Sequence, residues 1–220
     1  FEWAIDYYKS MAKKLNITMK LGKEVTAQEV LALKPYSILV ATGSNVISIP
    51  LEGLDQVQTV QAHDVLANDM QFANKKVVVI GGGITGLETA LYINRQGTNQ
   101  VSVVDMLPEW PVDMLDMRYQ NEALLEVRHC NDQGVALFYN NKVVKFADGK
   151  LFIESTKDGE VKELPADVIV LSVGVKPNDA LWQELLASGH PSVWKAGDAI
   201  ATGKINKAVL HGSKFGYSLN

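Results

Sequence analysis

The stretch VVVIGGGITGLETA, Val77–Ala90, decides the fold. Val77 to Ile80 is a short run of branched apolar residues, the signature of a strand buried on both faces. From Ile84 onward the apolar residues recur at helical spacing. Between them Gly81, Gly82 and Gly83 form a turn that, with Gly86, carries the pattern G-x-G-x-x-G. Each patterned glycine has a mechanical reason. The first permits a tight turn, the second lets a diphosphate approach the backbone, and the third lets the helix pack close to the strand. An anion at such a turn meets unpaired N–H groups and the positive end of the helix dipole. Glycine turns are common, so the context must carry the reading.

Working outward, the helix runs to Gln96 and stops at Gly97, and QVSVVD forms a second strand that ends on Asp105. Asp105 stands at roughly the 20-residue spacing at which an acid meets the adenosine ribose. Strand, turn, helix and acid together predict a dinucleotide-binding βαβ unit. A 2′-phosphate beside Asp105 is repelled, and DMLPEW, Asp105–Trp110, offers no Arg or Lys to offset it. NAD(H) is therefore favoured over NADP(H). Glu88 falls in the first turns of the helix, where an acid is also favoured simply by the dipole.

Before this unit the chain reads helix, strand, helix, strand. Phe1, Ala4, Ile5, Tyr8, Met11 and Leu15 have helical spacing, and Ile17, Met19 and Leu21 alternate as in a strand. TAQE at Thr26–Glu29 has the form of a capping box, and SILVATGS from Ser37 reads as a buried strand entering a glycine turn. ISIPLEGLDQV, Ile47–Val57, has no period and reads as a linker, followed by a short helix in AHDVLAND. Beyond Asp105 come a Pro- and Met-rich connection, Met106–Met117, and a helix from about Arg118 to Asn131. Short strands with Asp-Gly turns at Asp148–Gly149 and Asp158–Gly159 then predict a β-meander on a parallel sheet. The chain closes with a helix after Pro177, a strand into Gly197–Asp198, and an amphipathic helix over Lys207–Ser218.

The bulk composition narrows the function class. The chain has 220 residues, 47% hydrophobic and 21% charged, with a net charge of −4. Those are values of an ordinary globular protein, without a basic footprint for nucleic acid or an anionic membrane. One cysteine, Cys130, excludes an intrachain disulfide, a CxxC redox pair or a Cys-ligated cluster within this sequence. With no run of ~20 apolar residues and no signal peptide, a cytoplasmic setting is expected. The chain begins at Phe1, inside a helical pattern, as a piece of something longer would. His129 and Cys130 adjoin without a third partner, and His63, His190 and His211 have no metal spacing, so neither a catalytic residue nor a metal site is assigned.

VATGS at Val40–Ser44, VVVIGGGITGLETA, VLSVGVKPN at Val170–Asn178 and WKAGDA at Trp194–Ala199 stand in an order that resembles the flavoproteins with two dinucleotide-binding domains. The resemblance covers essentially the whole chain. It is strongest to the C-terminal half of NADH:flavin oxidoreductases of the dienoyl-CoA reductase, enoate reductase and trimethylamine dehydrogenase type. It implies an α/β fold: a Rossmann-like, three-layer NAD(P)-binding domain with a β-meander, inserted in a partial FAD-binding Rossmann-like domain. The domains expected are 1–56 and 174–220 for FAD, the first lacking its own glycine fingerprint, and 57–173 for NAD(P)H. The cofactor-binding residues so implied are Gly81, Gly82, Gly83, Gly86, Glu88 and Asp105 for the pyridine nucleotide, and Thr42, Gly43, Gly197 and Asp198 for FAD, with Gly174 at the second crossover. Asp198 can also be read as the N-cap of the last helix. The implied function is to bind NADH and pass hydride to FAD, feeding an FMN/iron–sulfur domain of the same polypeptide that this sequence lacks. Two alternatives stand beside it. One is a pyridine-nucleotide reductase or NADH oxidase with a protein partner or oxygen as acceptor; the other is a non-catalytic NAD- or ADP-binding domain.

Overall fold

The computed structural model describes residues 2–108 and 120–219. In chain order the elements are α1 (Glu2–Lys14), α2 (Ala27–Ala32), β1 (Ile38–Val40), β2 (Ser44–Val46), β3 (Gln58–Gln61), α3 (Ala62–Ala67), β4 (Lys76–Ile80), α4 (Ile84–Asn94), β5 (Gln100–Val104) and α5 (Gln120–Asp132). There follow β6 (Ala136–Phe138), β7 (Asn141–Ala147), β8 (Lys150–Ser155), β9 (Val161–Pro165), β10 (Val168–Leu171), β11 (Val175–Pro177), α6 (Ala180–Ala187), β12 (Val193–Lys195) and α7 (Ile205–Ser218). The chain divides into two compact units, Asn45–Lys176 and Phe1–Ser44 with Pro177–Asn220. β2 pairs with β11, and the chain passes from one unit to the other within these strands.

The unit Asn45–Lys176 is built on a five-stranded parallel sheet of order β3-β10-β4-β5-β6. Its central strands β10 and β4 are apolar almost throughout, because both of their faces are covered. The alternation of side chains sorts one strand between two cores. Val77 and Val79 of β4 pack with Val65, Leu87, Leu91, Ile93 and Val127 of the helices, while Val78 and Ile80 pack with Phe146, Leu151 and Ile153 of the meander. The meander is a separate antiparallel sheet, β7-β8-β9. Helices, parallel sheet and meander make the three layers expected.

Residues 45–56 pack in this unit as well, where a linker was expected. Ile49, Leu51 and Leu54 lie on the meander-side core. Gly53 adopts φ 81°, and a Cβ there would stand 1.9 Å from the carbonyl oxygen of Phe146. Phe146 also donates its N–H to Glu52 at 2.8 Å. Apart from the end of β2 and a single 3-10 turn at Leu54–Gln56 the segment has no regular structure, so it shows no period, yet Ile49, Leu51 and Leu54 are each partly buried against the meander-side core.

The other unit is leaner. β1 and β12 form a two-stranded parallel sheet, and Ile38, Val40 and Leu185 are buried between it and α2 and α6. The capping box of α2 forms as predicted: Thr26 Oγ1 accepts the Glu29 N–H at 3.3 Å, and the Glu29 carboxylate accepts the Thr26 N–H at 3.0 Å. Ile17, Met19 and Leu21 do not form the expected strand; they are exposed and have no ladder partner, without which a strand gains nothing. Asp198 is not the cap of α7, which has Lys204 at that position without a side-chain cap bond. Most of the Pro- and Met-rich connection and the start of the helix expected from about Arg118 lie outside the described residues.

Candidate functional site: a cavity over the carboxyl edge of the parallel sheet

At the end of β4 the chain turns through Gly81 at φ 110°. A Cβ on Gly81 would meet the Ser172 carbonyl oxygen at 2.2 Å, and one on Gly86 the Gly81 carbonyl oxygen at 2.0 Å. The first glycine thus lets the turn press against the strand end of β10, and the third lets α4 press against the turn. Gly83 differs. It is the N-cap of α4 with no side-chain cap bond, and a Cβ placed on it would have nothing within 4 Å. The N-terminal amides of a helix have no carbonyl one turn below them, and this glycine leaves them open to a ligand.

Asp105 closes the turn from the neighbouring strand. Its Oδ2 accepts the Gly82 N–H at 2.6 Å and its Oδ1 accepts the Leu107 N–H at 2.8 Å. The approach is tight enough that a Cβ on Gly82 would stand 3.1 Å from the Asp105 Cβ and 3.0 Å from Tyr139 Cε1. Two backbone bonds fix the carboxylate, and each oxygen retains capacity for a further donor such as a ribose hydroxyl.

Gly81, Gly83 and Asp105 line a cavity of about 620 Å³ within the unit Asn45–Lys176, along the carboxyl ends of its parallel strands, while Gly82 and Gly86 lie outside the lining. That edge is where open α/β sheets bind ligands. The strand order spreads the lining in sequence: Gln61, Ala62 and His63 after β3, Ser172–Val175 after β10, Gly81, Gly83 and Thr85 after β4, Asp105–Leu107 after β5, and Asn141–Val143 at the start of β7. The glycine turn and Asp105 were named from sequence, as was Gly174, at φ 91°. Glu88 sits on the exposed side of α4, outside the lining. The β3 and β7 contributions were missed. The signal for His63 was the short run QTVQ ending just before it, which reads as a strand only once its partner β10 is known.

In the other unit Thr42 and Gly43 are tied to the segment after β11. Thr42 Oγ1 donates to the Asn178 carbonyl oxygen, and the Asn178 N–H donates to Gly43 at 2.9 Å. Asp198 Oδ1 accepts the Gly203 N–H at 3.0 Å, and the Gly197 N–H is taken by His211 Nδ1 at 3.2 Å. Among the described residues of this unit there is no glycine-rich strand–turn–helix. The thiol of Cys130 is buried between α4 and α5, and burial, then the charge of Glu126, pushes it up to about 12. It is inert at neutral pH. Among the described residues no cluster of His, Cys, Asp or Glu could hold a metal ion, and no helix is long and apolar enough to cross a membrane.

Comparison with known proteins agrees with this geometry. Residues 5–212 match the family described as pyridine nucleotide-disulphide oxidoreductase. A bilirubin reductase of Mediterraneibacter gnavus is 33% identical over 175 residues, 80% of this chain and 26% of that protein. An NADH oxidase of Thermoanaerobacter brockii is 29% identical over 226 residues, 99% of this chain and 33% of that one. Among solved structures, a 2-naphthoyl-CoA reductase in complex with 2-naphthoyl-CoA superposes with a TM-score of 0.80 at 27% identity, covering 97% of this chain and 31% of that chain. The chain spans about a quarter to a third of the length of these relatives.

Proposed function

We propose, for a chain that belongs to the pyridine nucleotide-disulphide oxidoreductase family, that its share of the family's flavin-dependent redox chemistry is to bind NADH and present it to FAD. One observation carries the reading: the open N-terminus of α4 at Gly83 and the fixed carboxylate of Asp105 line one cavity. A nicotinamide nucleotide supplies a hydride and a flavin takes it up, so the protein's contribution is position and exclusion of water. Gly81–Gly86 would hold the diphosphate, Asp105 the adenosine ribose, and Gly174 the far end of the cavity. Glu88 joins the proposed site through its place in the motif. Thr42, Gly43, Gly197 and Asp198 would meet the flavin's sugar–phosphate chain.

The cofactor proposed is NADH over NADPH, because a 2′-phosphate beside the Asp105 carboxylate would be repelled. The electrons are proposed to continue to an FMN/iron–sulfur domain elsewhere in a longer polypeptide, which the roughly threefold greater length of the relatives supports. The likeness to an NADH oxidase along 99% of the chain favours a second reading, in which oxygen is the acceptor. Titrating the purified chain with NADH and following nucleotide fluorescence tests the core of the proposal. Saturable binding that Gly83→Val abolishes is expected; a Gly83→Val chain with unchanged affinity overturns it. Loading FAD, removing the excess and reading the visible band on adding NADH tests the second step. Bleaching is expected under argon, and oxygen uptake in air identifies the oxidase reading.

A further inference from the structure

The adenosine end of the cavity holds a cation that the sequence around Asp105 does not contain. Asn141 donates its N–H to the Asp105 carbonyl oxygen at 2.9 Å, which brings the start of β7 alongside the end of β5. The next residue, Lys142, lines the same cavity as Asp105. Its ammonium does not stand free: Lys142 lies opposite Glu154 in the β7–β8 ladder, with Nζ 2.9 Å from the Glu154 carboxylate. Glu154 itself is outside the cavity lining.

The geometry points to the Lys142–Glu154 pair as a second determinant of nucleotide choice, acting beside Asp105. The inference rests on the nucleotide reading of this cavity. On that reading a ribose whose hydroxyls meet Asp105 would lie beside the β5–β7 junction, and Lys142 is the lysine of the described lining there. A 2′-phosphate there could be paired by Lys142, as phosphates are elsewhere by charge-assisted hydrogen bonds. Glu154 opposes that in two ways. It holds the ammonium on β8, and it adds a negative charge to the one already supplied by Asp105. With both side chains only partly exposed, at 49% and 33%, this opposition is that of a surface pair, modest and screened by salt. Asp105 is therefore the main barrier to NADPH, and Glu154 keeps Lys142, the one lysine among the described lining residues, from lowering it.

The test is the ratio of NADPH to NADH affinity, from fluorescence titrations of the wild-type chain, Glu154→Gln, Lys142→Met and the double variant. Glu154→Gln should bind NADPH about fivefold more tightly, the size of an exposed ion pair, and NADH within about twofold of wild type. Adding Lys142→Met should abolish the gain, and raising salt should shrink it. Glu154→Ser, which removes the carboxylate without introducing an amide, must give the same direction. A wild-type chain that binds NADH but whose ratio is unmoved by both Glu154 variants overturns this inference and leaves the site intact. A gain that survives Lys142→Met overturns it too. A wild-type chain that binds neither nucleotide overturns the site reading and this inference with it.

Discussion

Asp105 shows how much one residue can be asked to do. Its two oxygens already hold the Gly82 and Leu107 amides, so it shapes the turn before any ligand arrives. Asp105→Asn puts an NH₂ against one of those N–H donors, leaving an amide unpaired at a cost of about 1–3 kcal/mol. A lower melting temperature together with weaker NADH binding is expected from calorimetry and titration; weaker binding at unchanged stability would mean the backbone bonds are incidental. The glycines separate just as sharply. Gly83→Val has open space at φ −70° and should keep the wild-type melting temperature while losing NADH. Gly86→Ala ordinarily gains up to about 1 kcal/mol in a helix. Here the new methyl would meet the Gly81 carbonyl at 2.0 Å, and overpacking of about 1–3 kcal/mol wins. A stabilised Gly86→Ala chain would contradict the tight turn. The motif named these residues, but it assigned no reason to Gly82, whose constraint comes from Tyr139 and Asp105 across the sheet.

Individual elements follow local rules where they are short of tertiary support. α2 has six residues, too few to persist alone, and its capping box closes its first turn. The Glu29 carboxyl is held below its ordinary range by Lys23, which donates at 2.6 Å, and by the Thr26 amide. A carboxyl lowered in the folded state stabilises above its unfolded range and loses that as pH falls through the lowered value. Amide exchange in α2 should therefore be independent of pH change near neutrality, once intrinsic rates are removed, and lose protection in acid. Thr26→Ala should cost about 1 kcal/mol of that protection at neutral pH. The α4–α5 contact gives the opposite case, an element defined by burial. Cys130, at 0% exposure with its thiol raised to about 12, should resist alkylation in the folded chain at pH 8 and react once unfolded. Rapid native labelling would show that α5 opens. Helix periods, caps and the strand ending at Asp105 were legible because their causes lie within a few residues. The Ile17–Leu21 strand was misread because alternation marks a strand's faces but supplies no partner.

On the scale of the molecule the two units are unequal. The sheet of Asn45–Lys176 is enclosed by two cores, one on each face, while the other unit buries Ile38, Val40 and Leu185 and exposes Trp3, Tyr7, Tyr8, Val209, Leu210 and Tyr217. Apolar burial is the main source of stability, so the lean unit should open first. Native-state hydrogen exchange should show β1, β12 and α6 exchanging through a lower-energy opening than β4, β5 and β10. Equal protection in both sets would mean the units unfold as one.

What the sequence determined by itself was the glycine turn after β4, the acid at the end of β5, the layered α/β class and the family motifs, because glycine dihedrals, apolar period and capping are settled within a turn or two of chain. What only the tertiary structure decided was which segments share the cavity. The order β3-β10-β4-β5-β6 sets residues 61–63 and 172–175 on one side of the turn and 141–143 on the other. Pairing between distant strands carries no local signal. For that reason the packing of Gly53 against Phe146, the seat of His63, and the lysine held by Glu154 beside Asp105 become visible only when the sheet is assembled.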